Sequence, residues 1–265
     1  MKRITLAAVD YGFAFGTDRA IRELLAQGRL SAVGCLAFSE LWRREYAPLR
    51  EVVDGGAGHA LVGLTLTLTG AFGMPMSPRW QQELGPSFRS PGWFARRAGF
   101  GLLPDEIILE EMAAQLRSFI VYFGAEPQFI TLSDGLMRHR ALVRLLARSV
   151  EAEGLATRPL LIYPQGEGRA LRRFSRFALK LGFPVLASGP MLPDPPTEAE
   201  LQEALRHHFD GLPEMAFVVA RPAIIDDRLR RQLPKAELAR RERHFAVLKS
   251  LKFFNTLAEK DIFLY

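Results

Sequence analysis

Short apolar or β-branched runs recur along the chain at 4–9, 32–38, 61–68, 128–131, 160–163, 184–187 and 216–220. Between them, at 17–27, 40–53, 104–123, 138–153, 169–181 and 198–209, apolar residues return at helical spacing. The first set has the length and near-unbroken hydrophobicity of strands buried on both faces, and the second has the period of helices with one apolar stripe. That alternation predicts parallel strands joined by crossover helices, an α/β fold. Local signals agree. Thr17 is placed to cap the first helix, Gly28 and Gly182 stand where helices should end, and Pro104 followed by Asp105 and Glu106 should open another.

Residues 70–103 break the rhythm. They are rich in Gly, Pro, Ser and aromatics, and are expected to form a long loop insertion over one end of the strands. The Pro-rich stretch 189–197 reads as a surface connection. Repeats and linker-like segments are not evident, so 1–265 is read as one domain carrying that insertion.

Composition changes this picture little. The chain is 48% hydrophobic and 24% charged, as ordinary globular proteins are, and its apolar runs fall well short of the roughly 20 residues that span a bilayer. The start, Met1-Lys2-Arg3, is basic, but the run 4–9 is short and meets Asp10, so a signal peptide is not expected. The one cysteine, Cys35, allows no internal disulfide and reads as a buried thiol, which points to a reducing, cytoplasmic setting. The formal charge of +6 is spread over arginine-rich helices at 169–180 and 235–243 rather than gathered in a nucleic-acid motif, so nucleic acid is not the expected partner. Solvated helix faces account for it, or else attraction to an anionic membrane surface or a phosphorylated ligand. Peripheral membrane contact and homo-oligomer formation both stay open.

Four segments carry a more specific signal. They are Ala8-Val9-Asp10-Tyr11-Gly12-Phe13, Val62-Gly63-Leu64-Thr65-Leu66-Thr67-Leu68-Thr69, Phe217-Val218-Val219-Ala220-Arg221-Pro222 with Asp226-Asp227 downstream, and the tail from Arg241-Glu242-Arg243 to Ile262-Phe263-Leu264. On these the chain resembles, essentially end to end, the YdjC-like family of metal-dependent carbohydrate deacetylases. The resemblance implies a distorted TIM-like (β/α) barrel of the polysaccharide-deacetylase kind, with its site at the carboxyl ends of the strands. It also implies a divalent metal such as zinc or magnesium held by an Asp and histidines, with an Asp as base and a His as acid.

Set against the family pattern, the positions differ from what that chemistry requires. The base falls on Val9, whose hydrocarbon takes no proton, while the ligand carboxylate survives as Asp10. A histidine ligand falls on Thr65, a far weaker donor. The Asp-Gly-His-x-His-x-His motif falls on Thr131-Leu132-Ser133-Asp134-Gly135-Leu136-Met137, which has no histidine. The acid falls on Arg221, which does not give up its proton. His59 precedes Thr65 by six residues, roughly 20 Å along a strand. With only Asp10 left of the ligands, no metal cofactor is expected.

The candidate catalytic residues are therefore Asp10, His139 and Arg221. Asp10 or Asp134 would serve as base and His139 as acid, with Arg221 holding an anionic or carbonyl oxygen or pairing with Asp10 in the metal's place. Thr65, Ser133, Asp134, Arg138 and Trp93 are the candidate ligand-binding residues. Asp10 reads equally as a turn cap, Ser133-Asp134-Gly135 as an ordinary turn, and Trp80 and Trp93 as anchors of the insertion. His207, His208 and His244 read as surface or capping residues of helices. The expected function is a degenerate deacetylase-like protein that binds a glycan or lipid-linked sugar or serves as a partner subunit. The alternatives are a metal-independent hydrolase or lyase and a conventional N-acetyl-sugar deacetylase.

Overall fold

In a computed structural model the protein is described over residues 2–56, 60–164, 168–194 and 198–264; His59 lies outside them. Its strands are β1 (Lys2–Tyr11), β2 (Ala32–Cys35), β3 (Leu61–Leu66), β4 (Phe129–Leu132), β5 (Leu160–Tyr163), β6 (Val185–Ala187), β7 (Ala216–Ala220) and β8 (Ile262–Leu264). All pair in parallel in the order β6-β5-β4-β3-β2-β1-β7, with β8 joined to the start of β1. A bridge between Ser188 and Phe217 draws β6 back toward β7, so the sheet curls into a distorted TIM-like barrel. The α/β expectation holds for each of the seven strands read from the sequence.

The crossover helices are α1 (Phe15–Ala26), α2 (Trp42–Gly55), α5 (Asp105–Phe123), α6 (Arg140–Ala152), α7 (Arg169–Lys180) and α8 (Glu198–His208). Alternation along β1 divides the core in two. Ile4, Leu6 and Ala8 join the large outer cluster with Ile21 and Leu24 of α1. Ala7 and Val9 join Ala32, Phe129, Ile162 and Phe217 on the inner face. There Phe129 and Phe217 meet edge-on, 5.2 Å between centroids, and plug the barrel. Gly63 makes room for that plug, since a Cβ there would lie 2.5 Å from the Phe129 ring.

Two local expectations need correction. Helix α1 begins after Ala14, not at Thr17, which is buried one turn in. The turn before α1 is held instead by Asp18, whose carboxylate accepts the Gly12 N–H at 2.6 Å. Nor is 70–103 a structureless loop. It contains α3 (Pro78–Glu83) and α4 (Pro91–Phe100), each opened by a Ser-Pro pair whose serine hydroxyl accepts a backbone N–H of the first turn. Trp80 is fully buried between Phe88 and Phe94 and fastens this segment to the core. After β7 come α9 (Asp227–Gln232), α10 (Lys235–Lys249) and α11 (Leu251–Glu259), and α10 bears directly on the site.

Candidate functional site

A cleft of about 480 Å³ opens at the carboxyl ends of the strands, where ligand sites of such barrels lie. One wall is hydroxylic. Thr65, Thr67 and Thr69 project from one face of an extended segment, as the two-residue repeat of a strand dictates, and Thr131 and Ser133 stand beside them. Thr67 Oγ1 lies 3.0 Å from Ser133 Oγ, and Thr69 Oγ1 donates to Asp134 Oδ2 at 2.6 Å. Thr65 Oγ1 donates to the Val9 carbonyl at 2.7 Å. Gly34 permits that reach, because a Cβ there would come within 2.4 Å of the hydroxyl. Asp134 (φ 53°) and Gly135 (φ 71°) form a left-handed turn at the end of β4, so the turn reading and the site reading of Ser133-Asp134-Gly135 describe the same feature.

Aromatic rings form part of the opposite wall. Phe72, supplied by the insertion, packs 4.5 Å from Phe13 and 5.6 Å from Phe38, centroid to centroid, and all three line the cleft. The insertion therefore does reach the mouth, through Phe72 rather than Trp93. Trp93 packs instead on Phe94 with the Arg97 guanidinium over its ring, away from the cleft lining.

The remaining end is charged. Arg241, with 4% of its side chain exposed, places Nη1 2.6 Å from Asp10 Oδ2 and Nε 3.3 Å from Glu237 Oε1. Glu237 also pairs with Arg240 at 2.9 Å and Arg221 at 3.4 Å. Neither Asp10 oxygen has a hydrogen-bond partner among the described residues, so the contact to Arg241 is a close ion pair without hydrogen-bond alignment. The expected Asp10–Arg221 pair is thus replaced by Asp10–Arg241, with Arg221 one carboxylate removed. The physical reason is α10. Its Glu237 and Arg241 are one helical turn apart on the face that lies against the end of β1, whereas Arg221 lines the cleft with 43% of its side chain exposed and pairs with Glu237. The residues 235–243 are therefore not a uniformly solvated face. The i, i+4 Glu-Arg spacing was the signal in the sequence that could have marked them.

Two further residues fall outside the cleft lining. Arg138 is exposed as the last residue of the Ser133–Arg138 turn, and His139 occupies the N-cap position of α6. Burial and the neighbouring Arg138 charge lower the His139 pKa. Asp226, read with Asp227 as part of an acidic pair, caps α9 through the Leu229 N–H at 2.8 Å and accepts the Gly16 N–H at 2.7 Å. Cys35 is fully buried, and burial pushes its thiol pKa up.

His244, expected at the surface, is 1% exposed, and its Nδ1 accepts the Arg221 backbone N–H at 3.0 Å. Its proton therefore sits on Nε2. Burial lowers its pKa from 6.5 to about 4. Because the folded pKa lies below the unfolded one, the unfolded chain takes up a proton first, and stability falls as pH drops from 6.5 toward 4. The full loss is on the order of 3 kcal/mol. Urea denaturation across that range should show this slope in the natural protein and a shallower one in His244→Gln. Equal slopes in both would contradict the assignment.

The donor set does not suit a divalent cation. The only family-ligand carboxylate, Asp10, already faces a guanidinium at 2.6 Å, and Thr65 directs its proton to a backbone carbonyl. Among the described residues no three His, Cys, Asp or Glu side chains converge in a way that could hold a metal ion. Nor, among the described residues, is any helix long and apolar enough to cross a membrane.

The family model for YdjC-like proteins matches residues 3–259. The chain belongs to the YdjC-like family. This YdjC-like protein is 29% identical over 157 residues to a chitooligosaccharide deacetylase of Enterobacter sp. (strain 638), in a match that covers 59% of this chain and 59% of that relative. Its fold is similar to a crystal structure from Enterococcus faecalis V583 named for cellobiose-phosphate cleavage, with a TM-score of 0.72 at 20% identity, over 100% of this chain and 97% of the other. Together these findings give the chain its family and the barrel expected from the resemblance, while the match to the deacetylase spans about three fifths of that relative's length.

Proposed function

We propose that this YdjC-like protein binds a glycan or lipid-linked sugar in its cleft and does not perform metal-dependent deacetylation. The Asp10–Arg241 ion pair carries the reading. A guanidinium against the one surviving ligand carboxylate supplies the countercharge that a cation would otherwise supply, and repels a second positive charge. The rest of the cleft suits a sugar. Hydroxyls and Asp134 on one wall offer hydrogen bonds to a polyol, and the Phe13, Phe38 and Phe72 rings offer an apolar face for the C–H side of a pyranose. A metal-independent hydrolase is not favoured, since its proton donor, His139, lies outside the cleft lining.

The test uses N-acetylglucosamine oligomers with and without added zinc. The expected result is no acetate release in either case, together with saturable binding by calorimetry. Asp134→Ala should weaken that binding by about tenfold or more, as expected for loss of a charge-assisted hydrogen bond. Catalytic acetate release would refute the loss of deacetylation, and absence of binding to any oligomer would refute the glycan half.

A further inference from the structure

Helix α7 carries Arg169, Arg172, Arg173, Arg176 and Lys180 and no acidic residue. Its apolar stripe, Phe174 and Ala178, is buried against the barrel, and the five cations stand exposed on the other side. Helix α6 extends this face. Its Arg140 and Arg144 are exposed, with guanidinium carbons 5.0 and 5.5 Å from the centre of the Phe177 ring of α7, and Arg140 donates to the Arg173 carbonyl at 3.3 Å.

Other arginines nearby are neutralised, Arg117 by Glu153, Arg148 by Glu106 and Arg158 by Glu151. Among the described residues none of the α7 cations, nor Arg140 or Arg144, is ion-paired. So many like charges side by side raise the local potential and attract polyanions.

Position and texture narrow the partner. In a parallel barrel each helix that follows a strand starts at the carboxyl end of that strand, so Arg140, Arg169 and Arg172 lie at the same end of the barrel as the cleft. Leu179, 61% exposed, stands next to Lys180, and Phe177 is only partly buried. A phosphodiester backbone has no use for such apolar groups, whereas a bilayer interface accommodates them beneath a basic face. Because the stripe of α7 is committed to the core, the helix cannot insert, and attachment is electrostatic and reversible.

We infer that the α6–α7 face docks this protein onto an anionic lipid surface, holding the cleft end of the barrel at that surface. This does not depend on what the cleft binds. The full chain is sedimented with vesicles of phosphatidylcholine containing about one third phosphatidylglycerol, and with phosphatidylcholine alone.

Binding is expected only to the anionic vesicles and should fall as salt is raised. The triple variant Arg172→Glu/Arg173→Glu/Arg176→Glu should lose at least tenfold in partitioning, given roughly fivefold per cation. The charge-matched triple Arg96→Glu/Lys235→Glu/Lys252→Glu, placed elsewhere on the surface, should retain most of it. Should the reversed triple fail to fold, the corresponding Arg→Gln triple makes the same comparison. Equal losses in both triples, or no preference for anionic vesicles, overturns the inference. Tighter binding to duplex DNA than to the vesicles at the same salt overturns it too, and assigns the face to nucleic acid.

Discussion

Replacing Arg241 with methionine is expected to lower the unfolding free energy by about 3–5 kcal/mol, because it leaves the Asp10 carboxylate in a nearly dry site with no countercharge. Arg241 is enclosed and touches both Asp10 and Glu237, but the truncation leaves only Asp10 without a partner. Glu237 keeps Arg240 and Arg221; Asp10 keeps nothing comparable. The double variant Asp10→Asn/Arg241→Met should recover a large part of the loss, since a neutral amide tolerates the same surroundings. Urea denaturation of the two variants and the natural protein gives the comparison. A loss below about 1 kcal/mol for Arg241→Met, the range of exposed ion pairs, would show that water or a movement of α10 relieves Asp10, and the site would then be softer than its packing suggests.

The second large effect belongs to the insertion. Trp80→Ala should destabilise the protein by about 3–5 kcal/mol, the usual consequence of emptying an aromatic-sized core position. Trp80 is fully buried, its ring lies 5.9 Å from that of Phe88 and 6.4 Å from that of Phe94, and its indole N–H donates to the Ser87 carbonyl at 3.3 Å. The loss should be cooperative with the whole molecule, because this aromatic group belongs to the same core as Trp42 and Phe119. If thermal unfolding instead showed a separate early transition with the main one unmoved, 70–103 would be an independent flap and not part of the barrel's packing. By contrast, Trp93→Ala removes a ring that is only partly buried and should shift stability far less.

How far the sequence disclosed all this depended on whether a residue's role is local. The strands were legible because a parallel sheet covered on both faces demands near-continuous apolar runs, and Ile4 to Ala8 and Val62 to Leu66, each broken by a β-branched threonine, and Ala216 to Ala220 have them. The hydroxyl wall was half legible. The period of Thr65, Thr67 and Thr69 is visible, but its facing depends on Gly34 leaving room next to Val9. The charged end was not legible, since Asp10 and Arg241 meet only after the whole barrel has formed. Their pairing is set by where α10 lands, and competition among Arg221, Arg240 and Arg241 for Asp10 and Glu237 cannot be resolved by charge alone. The helices α3 and α4 were missed for a different reason. Their length of two to three turns gives little periodicity, although the Ser77-Pro78 and Ser90-Pro91 pairs were signals of a helix start.

The proposed reading rests on one electrostatic feature, the Arg241 guanidinium 2.6 Å from the Asp10 carboxylate. The most direct measurement is titration of the purified, chelator-treated protein with zinc, followed by calorimetry and native mass spectrometry. The account predicts no stoichiometric binding to the natural protein and no difference from Asp10→Asn. A one-to-one complex that disappears in Asp10→Asn would contradict it, because Asp10 would then have exchanged Arg241 for a metal ion.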